Sequence, residues 1–262
     1  MRKSKALDDC TLETFRNHFV TYQEHYILIG GSATKLLLEE AGLLPRSTND
    51  LDIVICVEGL TFAFVHHFWL FVKQGGYEVC IKYSGARCLY RFEKPSDELY
   101  PYKLELLSDN GKFSDSTEIV THSIYIDDEI ISLSAILLNH DYYNYLLLNK
   151  REFKGLSIAT EHALIPLKIL AYLNLSKKKK DGLVIRDSDI KKHKNDVYRL
   201  TSLLTGVAHR DIPNCIKMDM CEFLNGLDDE IQTFKQLGLS FKSIEEVKAI
   251  LYNVFELNSM YK

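Results

Sequence analysis

The chain has 262 residues, of which 46% are hydrophobic and 26% charged, with a formal net charge of −4. That supplies core material for one large domain or two modest ones, and the acidic balance excludes a chain that binds nucleic acid through overall positive charge. Met1 to Asp9 is charged and lacks the apolar run of a secretory signal, and no apolar stretch reaches membrane-spanning length. Both point to a cytoplasmic protein with no membrane partner. The six cysteines, Cys10, Cys56, Cys80, Cys88, Cys215 and Cys221, form no CxxC pair, so reduced, mostly buried thiols are expected rather than a zinc site.

In chain order, Phe15, Phe19 and Tyr22 share one face of a helix expected over 11–22. Tyr26-Ile-Leu-Ile reads as a short buried strand that runs straight into Gly30-Gly31-Ser32. A helix is expected from about 32 to 42, ending near Gly42 and Pro45. Residues 51–56 read as a second strand, and the aromatic run 60–74 as a helix against the sheet. Residues 77–83 and 87–93 flank Ser84-Gly85-Ala86, a hairpin signal. Residues 102–107 alternate like a strand, and 122–132 add one or two more. After about 133 the pattern turns helical. Thr160 is a candidate N-cap for a helix over 161–176, and Lys177–Lys180 with Gly182 reads as a solvated loop. Ser188 caps a helix expected over 189–204, and Ser243 with Glu246 has capping-box spacing for a last helix to about 256. The expected class is α/β: a mixed-sheet domain over 1–150, followed by a helical domain over 151–262.

The chemistry-bearing stretch is Gly30-Gly31-Ser32-Ala33 followed by Arg46-Ser-Thr48-Asn-Asp50-Leu-Asp52. A strand, a glycine pair and a helix start bring backbone N–H groups and a hydroxyl to one place, and such a turn suits a phosphate. Asp50 and Asp52 are two apart on a strand, so both point to one face. Paired carboxylates repel unless a cation lies between them. Beside phosphates the usual cation is Mg²⁺, or Mn²⁺ in its place. Glu105 is a third candidate ligand if it faces inward. In the alternative, Lys103 and Glu105 both face solvent while Leu104 and Leu106 face the core.

These residues resemble the nucleotidyltransferase superfamily, and within it the AbiEii/AbiGii-type toxins of abortive-infection and toxin–antitoxin systems. Gly30-Gly31-Ser32-Ala33 with Arg46-x-Thr48-x-Asp50-Leu51-Asp52 resembles that group's first motif. Leu167-Lys168-x-x-Ala171 resembles its lysine-bearing helix, and Lys192-His193-x-x-Asp196-Val197-x-Arg199-Leu200 its later helix motif. The interval from Ser32 to Asp50 is longer than the common spacing, which the segment from Glu39 to Pro45 accounts for. The resemblance implies a metal-dependent nucleotidyltransferase with an NTP substrate. Asp50, Asp52, Lys168 and Asp196 would be catalytic. Gly30, Gly31, Ser32, Arg46 and Thr48 would bind nucleotide, and Asp50, Asp52 and Glu105 would hold metal. It further implies an RNA acceptor, such as a tRNA end, or a protein acceptor, and a cognate antitoxin partner.

Blander readings stand beside these. Lys168 is a snorkelling lysine, Asp196 pairs with Lys192 or Arg199, and His66-His67 is no metal pair because adjacent helix positions do not share a face. Residues 177–199 hold nine Lys or Arg against Asp181, Asp187, Asp189 and Asp196, which reads either as a solvated face or as an RNA backbone contact. The rival functions are an aminoglycoside-type small-molecule nucleotidyltransferase and a non-catalytic relative that binds a nucleotide or a partner.

Overall fold

The computed structural model describes residues 7–56, 61–81, 87–109, 119–126, 129–209, 211–228 and 231–257. Helix α1 (Asp9–His18) opens on a reciprocal cap, with Asp8 accepting from the Thr11 amide and Thr11 accepting from the Asp8 amide. It starts earlier than expected because that box precedes the apolar stripe. A 3₁₀ turn (Gln23–His25) leads into β1 (Tyr26–Ile29), buried at all four positions. Helix α2 (Gly30–Glu40) begins at the first glycine, two residues before the expected start. Strand β2 (Asp50–Ile55) and helix α3 (Phe62–Gln74, capped by Thr61) follow. Next come β3 (Glu78–Ile81), β4 (Arg87–Glu93) and β5 (Lys103–Asp109). The expected turn Ser84-Gly85-Ala86 lies outside the described residues.

The expectation that the chain turns helical after 133 is corrected. Strands β6 (Ile119–Ile126) and β7 (Glu129–Leu138) form an antiparallel pair. After α4 (His140–Leu148) comes a further hairpin, β8 (Lys150–Phe153) and β9 (Leu156–Ala159). Its two-residue loop has Lys154 at φ 50° and Gly155 at φ 77°, the backbone that a tight hairpin turn needs. Strand β9 is buried throughout and pairs in parallel with β1. The sheet order is β3-β4-β5-β2-β1-β9-β8, with β7 also beside β5 and β6 beside β7. Parallel and antiparallel pairs mix, so this part is a mixed α/β sheet. Phe15, Phe19, Tyr26, Phe64, Phe68 and Phe71 are almost wholly buried around α1 and α3, and Phe15 meets Tyr26 and Phe71 edge-on at 5.3 and 5.6 Å.

The remainder is helical: α5 (Glu161–Lys180), α6 (Asp187–Thr201), α7 (Asn214–Asn225), α8 (Ile231–Gln236) and α9 (Ile244–Val254). Lys177–Lys180 continue α5 rather than forming a loop. Lysine is a good helix former, and its charge is favoured at a helix C-terminus. Helix α6 starts at Asp187 with no side-chain cap, so Ser188 lies inside it. Acidic Asp187 and Asp189 occupy its first turn, where the helix dipole favours them. Ser243 caps α9 as its spacing implied.

The chain groups into two compact units. The first is Met1–Lys35 with Pro45–Ala159, and the second is Leu36–Leu44 with Thr160–Lys262. A boundary at 150 would cut through the β8–β9 hairpin, and the division through α2 has no counterpart in the expected domains. Among the described residues no helix is long and apolar enough to cross a membrane.

Candidate functional site

Gly30 sits at φ 66°, a left-handed conformation that side chains resist. A Cβ built there would lie 1.8 Å from Asp52 Oδ2. The Asp52 carboxylate therefore lies against the glycine backbone, in the space that a side chain at 30 would take. Register explains this, since Ile29 at the end of β1 is opposite Asp52 on antiparallel β2. The next glycine repeats the pattern. A Cβ at Gly31 would lie 2.5 Å from Thr48 Oγ1 and 3.3 Å from Arg46 Nη2. The structure thus brings together Gly30, Gly31, Thr48, Arg46 and Asp52 at the start of α2.

Ser32 is placed differently from its expected role. Its side chain is fully buried and its hydroxyl donates to the Ile29 carbonyl at 3.0 Å. The hydroxyl thus closes the strand-to-helix turn, and Thr34 does the same one turn on by donating to the Gly30 carbonyl at 2.7 Å.

Asp50 and Asp52 share one face of β2, and β5 runs parallel beside it with Asp50 opposite Lys103 and Asp52 opposite Glu105. On the other side of β5, Arg91 of β4 is opposite Glu105. Lys103 Nζ lies 3.3 Å from Asp50 Oδ2 and 2.9 Å from Glu105 Oε2, and Arg91 Nη2 lies 2.9 Å from Glu105 Oε1. Leu104 and Leu106 are fully buried on the opposite face.

Burial alone would raise the Glu105 pKa, but Lys103 and Arg91 outweigh it and hold the carboxyl below its usual range. Burial would likewise lower the Lys103 ammonium, but Glu105, helped by Asp50, outweighs it and holds the pKa above its ordinary value. Sequence reasoning gave no site role to Lys103, which it considered only as facing solvent beside Glu105, and none to Arg91. Lys103 carried a signal, a basic residue two before Glu105 on a strand. Arg91 carried none, because its place depends on how β4 pairs.

As a metal site, the donor set fits in part. Asp50 and Asp52 are hard oxygen donors on one strand face, as a divalent ion of this kind requires. Both Glu105 oxygens meet a cation, Oε1 with Arg91 and Oε2 with Lys103. Among the described residues no group of three or more His, Cys, Asp or Glu is gathered so as to hold a metal ion.

Lys168 and Asp196 lie in the helical unit and meet each other. Lys168 Nζ is 2.8 Å from Asp196 Oδ2, with the two residues 4% and 0% exposed. Arg199 Nη1 lies 3.5 Å from Asp196 Oδ1. Lys168 is thus buried rather than snorkelling. Lys192 pairs instead with Asp189, at 3.5 Å. His67 does not act with His66; it stacks on His18 with ring centroids 4.0 Å apart. In the basic stretch, Lys179 pairs with Asp187, and Arg186 with Asp189 at 3.2 Å.

The sequence matches no protein-family model and no curated protein. Among solved structures, the chain is similar to an antigenic nucleotidyltransferase-like protein from Paracoccidioides brasiliensis. That likeness has 15% identity and a TM-score of 0.42, over 96% of this chain and 100% of the other. It is also similar to the lincomycin-bound lincosamide antibiotic adenylyltransferase LnuA, at 14% identity and a TM-score of 0.40, over 76% of this chain and 100% of the other. Scores this low do not establish a shared fold.

Proposed function

We propose that this chain is a metal-dependent nucleotidyltransferase that moves a nucleoside monophosphate from an NTP to an RNA end, such as that of a tRNA, or to a protein. One observation carries the reading. A left-handed glycine at a strand-to-helix turn is held against the Asp52 carboxylate, with Asp50 on the same strand face. That arrangement places the amides of a helix start beside two carboxylates, which suits a triphosphate and its counter-ion.

In this reading Gly30, Gly31 and Ser32 contribute backbone amides to the phosphates, since the Ser32 hydroxyl is committed to the turn. Arg46 and Thr48 flank the same turn and bind nucleotide. Asp50 and Asp52 would hold Mg²⁺ or Mn²⁺, which would supply positive charge to neutralise that developing on the phosphates. The acceptor oxygen bonds to the α-phosphorus as the bond to the β-phosphate bridging oxygen breaks, and pyrophosphate leaves. Lys168 and Asp196 enter through the sequence resemblance. So does the biological role of an AbiEii-type cytoplasmic toxin restrained by an antitoxin. The lysines that end α5, with those on α6, support an RNA acceptor because they offer positive charge to a phosphate backbone.

The test is incubation with each α-labelled triphosphate, Mg²⁺, and total RNA or lysate. Label in RNA or protein that disappears in Asp52→Asn is the expected result. Label only in an added aminoglycoside would move the acceptor to small molecules. No label, together with no magnesium-dependent nucleotide binding by calorimetry, overturns the reading.

A further inference from the structure

Three carboxylates line one face of β2 and β5, yet two cationic side chains already sit among them. Lys103 bridges neighbouring strands, with its Nζ 3.3 Å from Asp50 and 2.9 Å from Glu105. Arg91 takes the other Glu105 oxygen at 2.9 Å. The Lys103 and Glu105 side chains are only 17% and 15% exposed, so water does not screen this pair as it does one on an open surface. Among these five side chains, Asp50, Asp52 and Glu105 against Lys103 and Arg91 leave one net negative charge, before Arg46 at the neighbouring turn and any bound triphosphate are counted. A metal ion bound to Glu105 would have to share an oxygen with an ammonium or a guanidinium already at hydrogen-bond distance, or displace it.

We infer that Lys103 is a resident cation standing where a second metal ion would otherwise bind. The site then takes one divalent ion, on Asp50 and Asp52, and Glu105 is not a ligand. Lys103 is a positioning residue: it fixes Asp50 from one side and holds Glu105 away from the ion. Glu105 in turn anchors the ammonium, and Arg91 anchors Glu105. The inference rests on the nucleotidyl-transfer reading for the presence of an ion, but it makes its own claim about number and ligands.

The experiment is a Mn²⁺ titration of the full chain followed by electron paramagnetic resonance, with and without a non-hydrolysable NTP. Wild type, Lys103→Met, Lys103→Arg, Glu105→Gln and Asp52→Asn are compared, and circular dichroism checks their folding. Wild type is expected to bind one Mn²⁺ per chain, with the same number in Lys103→Arg and Glu105→Gln and none in Asp52→Asn. Lys103→Met removes a positive charge next to the ion, so it is expected to bind Mn²⁺ at least about tenfold more tightly or to take a second ion. Two ions in wild type that become one in Glu105→Gln would overturn the inference and leave the nucleotidyl-transfer reading standing. So would unchanged affinity in Lys103→Met. Absence of Mn²⁺ from wild type even with nucleotide would sink that reading itself. If Lys103→Met fails to fold, the numbers in wild type and Glu105→Gln decide.

Discussion

Gly30 and Asp52 occupy complementary space, so a side chain at 30 collides with the carboxylate. Gly30→Ala forces a side chain to 1.8 Å from Asp52 Oδ2 at φ 66°. We expect it to lose about 1–3 kcal/mol of stability and magnesium-dependent nucleotide binding with it, measured by urea unfolding and calorimetry. Asp52→Asn keeps the shape and removes the charge. Transfer should fall by roughly a hundred- to a thousandfold with little change in melting temperature. A large drop in melting temperature would mean that Asp52 serves the fold. The Lys168–Asp196 pair behaves differently because it is buried. Asp196→Ala leaves an ammonium without its carboxylate and should cost about 3–5 kcal/mol. Adding Lys168→Met should restore much of that loss in a double-mutant cycle. If the double variant is stable yet inactive, the pair has a role beyond the fold.

Helices α1 and α3 are joined by two histidines that each satisfy the other's backbone. His18 Nε2 lies 3.0 Å from the His67 carbonyl, and His67 Nε2 lies 2.6 Å from the His18 carbonyl. A carbonyl only accepts, so each ring donates from Nε2. Burial, reinforced by the charge of His67 and only partly offset by the hydrogen bond to the His67 carbonyl, lowers the His18 pKa below its ordinary 6.5. The unfolded chain therefore takes up this proton first as pH falls. The stabilising effect is complete above about pH 6.5 and is lost below it, as pH drops through the folded value. Melting temperature should decline between pH 7.5 and pH 5, and less so in His18→Gln, which cannot titrate. An equal decline in both would remove His18 as the cause.

Elements whose signal is local could be read from the sequence. The run from β1 through the glycine pair into α2 was legible because an apolar strand meets a residue that only a turn requires. Strands β8 and β9 were not, because four residues are too few to show alternation, and β9, buried on both faces, shows none. The lysine run was misread because its charge suggests water while its propensity favours helix.

For the molecule as a whole, what stayed hidden is what depends on distant partners. Asp50 and Asp52 were visible as a pair in one short segment. Lys103 and Arg91 acquire their roles only when β4, β5 and β2 lie side by side, and Lys168 finds Asp196 28 residues away. The division of the chain is of the same kind. Helix α2 carries the Gly30–Gly31 turn at one end, while residues 36–44 group with the helical unit. Leu36, Leu37 and Leu38 are 5%, 3% and 1% exposed. A gene cut between Ala159 and Thr160 thus does not yield two self-sufficient pieces, because the second lacks one of its own segments and the first carries it uncovered. Expressed alone, fragment 1–159 should aggregate and fragment 160–262 should fold poorly. Expressed together they should complement each other and copurify. Leu37→Asp in the first fragment should abolish that recovery, and copurification that survives it would place the join elsewhere.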